Sequence, residues 1–212
     1  MLLKNTKVLI TCGPTWVPID KVRVISNKST GELGHTIAKN LVQEGAKVTL
    51  LEGPVTHSLK FGKIRTLKFW YFDELYSLLK QELKKKFDII IQAAAVADYQ
   101  LQRTYIKKIS SGISPLKLDL VPTPKIINRI KRWAPQALLV GFKLELTQNK
   151  KKLVRQAFEL IKKAKCDLVI ANYFSNQVYH GLIIDREKNI LAIGKSRQDI
   201  SRKLIKILRK KP

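Results

Sequence analysis

Short apolar runs alternate with amphipathic segments along almost the whole chain, and this alternation constrains the fold more than any other feature. Apolar runs rich in β-branched residues predict strands at 7–11, 46–51, 63–69, 87–95, 137–142, 167–171, 182–184 and 190–193. Apolar residues at helical spacing predict helices between Ser29 and Gly45 and at 73–86, 124–133, 150–165 and 197–210. Because strands that alternate with helices form parallel sheets, we expect a Rossmann-like α/β fold, a mostly parallel sheet flanked by helices.

One segment breaks the alternation. Residues 99–120 are long, polar and basic. Ligands of parallel sheets bind outside the carboxyl ends of the strands, so this segment is predicted to be a flap or arm over such a site. The 212 residues, 45% of them apolar, show no internal repeat or low-complexity linker, which favours a single domain over residues 1–212.

The chain carries a formal net charge of +25, from 41 basic and 16 acidic residues. Such a charge attracts any anion: nucleotides, phosphorylated metabolites, nucleic acid or acidic membranes. The densest basic clusters, at 84–86, 150–152, 162–165 and 209–211, are typical of solvated helix faces. The charge alone therefore does not decide the function.

The two cysteines, Cys12 and Cys166, are too few for a disulfide framework and lie in or beside apolar runs. We predict buried structural thiols and a reducing, cytoplasmic location. No apolar run approaches the roughly 20 residues that span a bilayer, so no membrane helix is expected, and no signal peptide is evident. The three histidines are scattered and lack metal-ligand spacing, so we predict no metal site built by histidines or cysteines.

The loop after the first strand and the start of the first helix form a candidate phosphate site. Gly13 and Thr15 lie in the loop, where Gly13 would permit close approach of the backbone to a ligand. Ser29 and Thr30 offer hydroxyls, and the helix start offers free N–H groups and the positive end of a dipole. Residues 29–32 also fit the Ser/Thr-x-x-Glu capping box, so ordinary turn and capping chemistry is the alternative. Neither a Gly-x-Gly-x-x-Gly fingerprint nor a Walker loop is present.

Two further segments could act on a ligand. Asn27 is either a turn residue or an amide that holds a carbonyl in a transition state. The small residues Ala93, Ala94 and Ala95 would let a ligand ring lie against the backbone at a strand end. Asp98 follows them, where it could bind Mg²⁺ or ligand hydroxyls, or be a simple loop aspartate.

Lysines and a phenylalanine complete the candidates. Lys108, in the predicted arm, could reach phosphates as a point charge, although a surface lysine is the simpler interpretation in so basic a chain. Phe142 could pack on a base and Lys143 could meet a phosphate, with a core phenylalanine as the alternative.

Taken together, these segments resemble the phosphopantothenate–cysteine ligase family, also called phosphopantothenoylcysteine synthetase. The matching segments keep the family's order and spacing and cover nearly the whole chain. They are KVLITCGPTWVPIDKVRVISNKSTGELG (7–34), GAKVTLLEGPV (45–55), AAAVADY (93–99), KISS (108–111), PTPKII (122–127), GFKLE (141–145) and DLVIAN (167–172).

The resemblance implies a reaction and its substrates. In this family the carboxylate of phosphopantothenate attacks the α-phosphate of CTP or ATP, pyrophosphate leaves, and an acyl-nucleotide forms. The amine of cysteine then attacks the acyl carbon and releases the nucleoside monophosphate. Bringing two anions together requires Mg²⁺, cationic side chains and helix N-terminal amides.

The resemblance also assigns residues. Asn27 matches the family's asparagine that holds the acyl-nucleotide, and Lys108 matches the lysine that contacts the triphosphate. The phosphate-binding and nucleotide-binding stretches match Gly13, Thr15, Ser29, Thr30, Gly31, Ala93, Ala94, Ala95, Asp98, Val121, Pro122, Thr123, Pro124 and Phe142, with Asp98 the candidate magnesium ligand.

The chain departs from the family pattern in places. Many bifunctional bacterial members have Lys-Ile-Lys-Lys where residues 108–111 read Lys-Ile-Ser-Ser, and lysines where Leu160 and Ala164 stand here. Nearby Lys162, Lys163 and Lys165 are the candidate substitutes. These departures, together with the GFKLE sequence at residues 141–145, leave open whether the co-substrate is CTP or ATP.

The family implies partners as well. We expect a homodimer in which the arm at 99–120 completes the neighbour's site. The sequence begins at the segment that matches the synthetase's first strand, so we expect a standalone synthetase that works with a separate flavin-dependent decarboxylase. No membrane and no specific nucleic acid is expected. The alternatives are a basic nucleic-acid-associated protein, which would bind with steep salt dependence, and a ligase fold that has lost activity. An oxidoreductase is disfavoured by the missing glycine fingerprint.

Overall fold

The computed structural model describes residues 3–210, which fold around one eight-stranded sheet. The strands are β1 (Lys7–Cys12), β2 (Trp16–Pro18), β3 (Val24–Ser26), β4 (Lys47–Glu52), β5 (Arg65–Lys68), β6 (Ile89–Gln92), β7 (Tyr99–Leu101), β8 (Leu120–Pro122), β9 (Leu138–Leu144), β10 (Leu168–Ser175), β11 (Val178–Asp185) and β12 (Ile190–Gly194). The helices are α1 (Glu32–Gln43), α2 (Phe72–Glu82), α3 (Ile127–Trp133), α4 (Lys150–Ala164) and α5 (Arg197–Leu208).

The order of strands in the sheet is β12-β11-β10-β9-β6-β1-β4-β5. The strands from β10 to β5 pair in parallel, whereas β11 and β12 are antiparallel additions at one edge. The chain runs outward from β1 through β4 to β5, then returns to β6 on the other side of β1. This reversal between β1 and β6 is the topological switch point at which such sheets bind ligands. The predicted Rossmann-like α/β fold is confirmed.

Helices cover both faces of the sheet and divide the core in two. On one face α1 and α5 bury Ile37, Leu41 and Leu204 against strand residues such as Ile10. On the other face α2, α3 and α4 pack against residues such as Ile90. Strands buried on both faces explain the continuous apolar runs in the sequence. No helix within residues 3–210 is both long enough and apolar enough to cross a membrane.

Several predicted boundaries were wrong for identifiable reasons. Strand β6 ends at Gln92 rather than residue 95, because the following backbone turns to hydrogen-bond with the loop after β1. Helix α2 ends at Glu82 and continues only as a short 3₁₀ turn, Leu83–Lys85. Strands β10 and β11 are longer than predicted. They form a hairpin whose turn places Asn176 and Gln177 at positive φ, and the turn lacks the glycine that usually marks one.

The start of α3 was also predicted wrongly. Pro124 does not open this helix, which begins at Ile127. The preceding residues are held in strand β8, and the Thr123 N–H donates to the Asp98 carbonyl at 2.9 Å. Pro124 therefore lies in the turn that joins strand to helix.

Two small hairpins, β2–β3 and β7–β8, lie outside the main sheet and were not predicted. They pack together through Val17, Ala97 and Leu101, with Ile19 and Leu118 against them. Residues 102–119 extend from β7–β8 as a largely exposed arm. The predicted arm therefore exists, and its base is anchored beside the switch point.

Candidate active site

A cavity of about 820 Å³ lies outside the carboxyl ends of the central strands, at the switch point between β1 and β6. Its floor and walls come from the segment before α1, the segment after β6, the start of α3, the ends of β9 and β10, and α4. The cavity is large enough to hold a nucleotide or a metabolite of similar size. The structure thus has a cavity at the position where parallel sheets bind their ligands.

The segment 27–34 forms one wall of this cavity as a turn into α1. Gly31 has φ of 72° and caps the helix without any side-chain hydrogen bond. The predicted capping box at residues 29–32 is therefore wrong: only Thr30 Oγ1 accepts, at 3.4 Å, from the Glu32 N–H. Among residues 3–210 the N–H groups of Leu33 and Gly34 find no acceptor, so the positive end of α1 is open to an anion.

Close packing fixes the position of this helix end. A Cβ built on Gly34 would lie 2.4 Å from the Cβ of Cys12, so only glycine lets α1 approach the end of β1 so closely. Burial raises the pKa of the Cys12 thiol far above its ordinary value, so the thiol is protonated and acts as a packing group. Cys166, also buried, has a pKa raised to about 12 by its burial. Both cysteines are the buried thiols that were predicted.

The buried carboxylate of Glu52, at the end of β4, is hydrogen-bonded to His35 of α1. It accepts hydrogen bonds from His35 Nε2 at 2.5 Å, from the Leu59 N–H at 3.1 Å and from Lys68. Burial by itself would raise the pKa of Glu52, but the hydrogen bonds from Lys68 and Leu59 outweigh it and lower the pKa below its ordinary value. Glu52 is therefore ionised, and it ties β4, β5 and α1 together.

This arrangement also groups three potential metal ligands that the sequence does not reveal. Ligand atoms of Cys12, His35 and Glu52 all lie within 4.8 Å of one another. The Glu52 carboxylate of this group already accepts hydrogen bonds from Lys68, Leu59 and His35, so these side chains form a hydrogen-bonded cluster in this structure.

Asn27 bridges the two main walls. Its Nδ2 donates to the carbonyl of Ala95 at 3.2 Å and to that of Val96 at 3.3 Å. Since both partners are acceptors, the amide nitrogen must face them, which leaves Oδ1 for other contacts. Asn27 lines the cavity and fixes the turn before α1 relative to the segment that follows β6.

Threonine side chains shape the segment after β6. Thr11 Oγ1 accepts from the Ala94 N–H at 3.1 Å, and Thr15 Oγ1 accepts from the Ala97 N–H at 2.9 Å. Thr123 donates its hydroxyl to the Ala97 carbonyl. Ala93, Ala94 and Ala95 all line the cavity at this strand end, and a ligand ring lying against their backbone stays a prediction.

Asp98 lies at the exposed end of this segment and lines the cavity. Its carboxylate forms an ion pair with Lys125. A single exposed carboxylate suits Mg²⁺ only as one ligand among several, because Mg²⁺ usually keeps waters and takes the remaining ligands from phosphates. Asp98 fits that limited role.

Five basic side chains line the cavity, against three acidic ones. The basic residues are Lys28, Lys125, Lys143, Lys163 and Arg197, and the acidic ones are Glu32, Asp98 and Glu159. Within residues 3–210, Lys28 and Lys163 have no carboxylate at ion-pair distance. Lys163, on α4, lies next to the position where a family lysine is replaced by Ala164. The excess of positive charge favours an anionic ligand.

Five of the predicted nucleotide-binding residues lie outside the cavity wall: Gly13, Thr15, Val121, Pro122 and, on the arm, Lys108. Gly13 and Thr15 are buried behind it: a Cβ on Gly13 would lie 2.9 Å from Val55 Cγ1, so this glycine serves loop packing. Val121 and Pro122 belong to β8, whereas Thr123, Pro124 and Phe142 do line the cavity, as do Ser29, Thr30 and Gly31.

Lys108 is exposed on the arm and does not line this cavity. The adjacent residue Ile109 is buried, and its N–H donates to Asp20 at 3.1 Å while its carbonyl accepts from Arg23 at 3.2 Å. The arm is thus fastened to the β2–β3 hairpin one residue after Lys108.

Sequence reasoning missed the far side of the cavity. Phe174, Tyr179 and Arg197 come from β10, β11 and α5, and nothing local in the sequence places them near α1. The buried Oη of Tyr179 and Oε1 of Gln92 have no hydrogen-bond partner among residues 3–210, and both residues line the cavity. Unpartnered polar atoms in a cavity wall are the signal that only the structure supplies.

A Rossmann-like sheet with a basic cavity at its switch point and an open helix N-terminus defines an α/β protein whose cavity suits an anionic ligand, such as a phosphorylated small molecule. Residues 3–210 match the family described as the C-terminal domain of DNA/pantothenate metabolism flavoprotein, and the chain belongs to that family.

Individual relatives agree with this assignment. The chain is 39% identical over 171 residues to the coenzyme A biosynthesis bifunctional protein CoaBC of Thermococcus kodakarensis, covering 80% of this chain and 42% of the relative. It is 35% identical over 215 residues to CoaBC of Borreliella burgdorferi, covering 97% and 53%. The chain therefore spans about half the length of the curated relatives it matches.

Solved structures show the same fold. The DNA/pantothenate metabolism flavoprotein from Streptococcus pneumoniae superposes with a TM-score of 0.86 at 26% identity, covering 96% of this chain and 98% of that one. A Cab2 mutant in complex with phosphopantothenate-cysteine superposes with a TM-score of 0.79 at 21% identity, covering 97% and 87%. At that identity the second likeness concerns the fold alone.

Proposed function

We propose that this chain is a phosphopantothenate–cysteine ligase that makes phosphopantothenoylcysteine for coenzyme A biosynthesis. Membership of the pantothenate-metabolism family supports this, as do relatives that act in coenzyme A biosynthesis and a fold neighbour solved with phosphopantothenate-cysteine. The observation that carries the proposal is the basic cavity itself, in which an open helix N-terminus faces the small-residue end of β6.

This geometry answers the main difficulty of the reaction. A carboxylate must attack a triphosphate, and both are anions that repel each other in water. The N-terminus of α1 and the five basic side chains offset this repulsion, while the cavity holds the two reactants in a fixed orientation. Catalysis by positioning and charge requires no nucleophile from the protein, which fits the protonated Cys12 and Cys166.

The reaction proceeds in two steps. An oxygen of the phosphopantothenate carboxylate attacks the α-phosphorus of the nucleoside triphosphate, and the bond to the bridging oxygen breaks to release pyrophosphate. The cysteine amine then attacks the acyl carbon of the resulting acyl-nucleotide. The carbon–oxygen bond breaks, the amine loses a proton, and the amide and the nucleoside monophosphate leave.

Asn27 and the segment after β6 are the residues that hold the acyl-nucleotide. With its nitrogen engaged by two carbonyls, Asn27 has Oδ1 available to orient an amine or a hydroxyl of the ligand. Ala93, Ala94 and Ala95 permit a ring to lie on the backbone, with Phe142 at the end of β9 on the neighbouring wall.

Asp98 would be the protein ligand of a Mg²⁺ ion held by the nucleotide phosphates, with Lys125 released to contact those phosphates. The ion would supply positive charge that offsets the charge of the phosphates. We infer that the nucleotide is CTP or ATP. Many bifunctional bacterial members of the family carry nucleotide-contacting lysines where this chain has Leu160 and Ala164, so a preference for CTP does not follow from the resemblance. Lys163, which lines the cavity, is the candidate substitute.

A homodimer would explain the arm. Lys108 lies outside its own cavity, and exposed apolar side chains surround it, with Ile106 82% and Ile113 55% exposed. The β2–β3 hairpin beside the arm also exposes apolar residues, with Val22 67% exposed. We propose that two copies bury these surfaces and that Lys108 reaches the triphosphate of the neighbouring copy.

We propose a flavin-dependent decarboxylase as the partner that consumes phosphopantothenoylcysteine in coenzyme A synthesis. Such a pathway operates in the cytoplasm, where both cysteines would stay reduced.

The proposal is tested by pyrophosphate release from purified protein with Mg²⁺, phosphopantothenate and cysteine, comparing CTP with ATP. We expect release that depends on phosphopantothenate, and the better nucleotide identifies the co-substrate. Absence of release with both nucleotides from folded protein would contradict the proposal. A salt-dependent affinity for RNA or DNA in the same preparation would then favour nucleic-acid binding.

A further inference from the structure

Arg197 lies where four elements, α1, β10, β11 and α5, meet at one end of the cavity. It is the first residue of α5, and its Nη1 is 3.2 Å from Oε2 of Glu32, the first residue of α1. Its guanidinium carbon is 5.5 Å from the ring centroid of Phe174 and 5.5 Å from that of Tyr179. All four side chains line the cavity. Arg197 thus joins the N-terminal ends of two helices across the cavity's edge.

We propose that Arg197 is an anion-binding residue of this cavity that transfers from Glu32 to the pyrophosphate portion of the nucleotide when the nucleotide binds. The inference rests on the proposed function for the identity of the ligand. It adds a binding residue on α5, an element for which the family resemblance implies no role.

The place of Glu32 is the first reason. The unpaired N–H groups of Leu33 and Gly34 directly follow it at the start of α1. A phosphate that accepts from these N–H groups must come close to the Glu32 carboxylate and to the arginine paired with it. The phosphate and Glu32 therefore compete for one guanidinium.

The chemistry of the guanidinium is the second reason. Arginine presents five N–H donors in a planar fork that matches phosphate oxygens, and the pair with Glu32 is made at 3.2 Å through Nη1. The rings of Phe174 and Tyr179 hold the planar group, so little side-chain freedom is lost when an anion binds. The residue is partly exposed, at 29% of its side chain, and accessible to a ligand.

Tyr179 supports the guanidinium with its ring alone. Its Oη is buried without a hydrogen-bond partner among residues 3–210 and lies on the side of Gly181, where a built Cβ would be 3.2 Å away. The hydroxyl therefore belongs to the core, and Arg197 is the group at this end of the cavity that a ligand can reach.

The test is the affinity for inorganic pyrophosphate, measured by isothermal titration calorimetry at fixed ionic strength. We expect Arg197→Gln to raise Kd at least about tenfold, since a charge-assisted contact is lost. Arg197→Lys should lie between, because lysine keeps the charge but not the fork. Glu32→Gln should lower Kd by about threefold, since a competing anion is removed.

Arg202→Gln is the matched control. It removes one charge from the same helix at an exposed position outside the cavity, and its Kd should match wild type. Thermal unfolding of each variant confirms that it is folded.

A purely structural Arg197–Glu32 ion pair predicts a different pattern. Both Arg197→Gln and Glu32→Gln would then change Kd in the same direction, and this result would overturn the inference. It would also be overturned if wild type failed to bind pyrophosphate or if Arg197→Gln bound it as wild type does. Because the titration needs no turnover, wild type that binds pyrophosphate through Arg197 but releases none from CTP or ATP would refute the ligase activity and not this site.

Discussion

Asn27 cross-links two walls of the cavity through its side-chain amide. The sequence suggested either a turn residue or a catalytic amide, and the structure shows that Asn27 ties the turn before α1 to Ala95 and Val96. This cross-link joins residues 68 and 69 positions apart, which local sequence patterns cannot reveal.

For Asn27→Asp we expect kcat for pyrophosphate release to fall about a hundredfold, because loss of the Nδ2 bonds to Ala95 and Val96 would displace the turn that positions the ligand. The new carboxylate would face two carbonyls and add a negative charge near the triphosphate. Asn40→Asp is the control, because Asn40 donates to Ser201 between α1 and α5, away from the cavity. Unchanged activity in Asn27→Asp would refute the role given to this residue.

Gly34 is the second residue on which the site depends. We expect Gly34→Ala to destabilise the protein by about 2 kcal/mol and to weaken nucleotide binding, because the added methyl would overlap Cys12 and push α1 away from β1. Gly62→Ala, where a Cβ meets nothing within 4 Å, should be neutral. Chemical unfolding and nucleotide titration measure both effects. A Gly34→Ala protein as stable as wild type would show that this close packing is not required.

At the scale of elements, Asp20 fastens the arm to the β2–β3 hairpin. The buried carboxylate accepts from the N–H groups of Val22 and Arg23, each at 2.8 Å, and from that of Ile109 at 3.1 Å. The bond from Ile109 is the main cause of the lowered pKa of Asp20. Together with Arg23, which donates to the Ile109 carbonyl, Asp20 therefore holds the part of the arm that presents Lys108.

For Asp20→Asn we expect faster proteolytic cleavage within residues 102–119 and about a tenfold loss of activity, because a misplaced contact group is costly. Asp119→Asn changes an exposed acid of the same arm and should leave both properties unchanged. If Asp20→Asn were cleaved no faster than wild type, the arm would be held by other contacts.

The elements of the main sheet were predictable because their patterns are local. All eight of its strands and all five helices follow from apolar periodicity, with errors at the boundaries. The hairpins β2–β3 and β7–β8 were missed because three-residue strands are too short to show alternation. The position of Arg197 could not be predicted, since it depends on α5 packing beside α1, far away in sequence.

At the scale of the whole molecule, several of the few acidic side chains accept hydrogen bonds that stabilise their ionised form. Hydrogen bonds from Arg65 at 2.6 Å, and secondarily from Lys85, lower the pKa of the buried Glu82 carboxyl. Asp20, Glu52 and Asp199 likewise have lowered pKa values. A carboxyl group whose pKa is lower in the folded protein than in the unfolded chain stabilises the fold when it is ionised. This stabilisation is complete above the pKa of the unfolded chain, and it is lost as pH falls through the pKa of the folded protein.

We therefore expect the free energy of unfolding to be steady near pH 7 and to fall once pH drops below about 4.5, the ordinary glutamate value. Glu82→Gln should cost about 1 kcal/mol at pH 7, since its partners are half exposed, and the difference from wild type should shrink as pH falls. Glu187→Gln, at an exposed site, is the control. Urea unfolding at several pH values from about 3 to about 7 measures the free energy of unfolding of wild type and both variants. A Glu82→Gln difference that stays constant with pH would contradict the assignment.

The central claim is that the cavity joins a carboxylate to an amine through an acyl-nucleotide. It is tested most directly with phosphopantothenate in which both carboxylate oxygens are ¹⁸O, incubated with the purified protein, cysteine and the preferred nucleotide. The account predicts that mass spectrometry finds one ¹⁸O in the nucleoside monophosphate for each amide formed, because the attacking oxygen stays on phosphorus. Amide formation with unlabelled nucleoside monophosphate, or no amide at all, would contradict it.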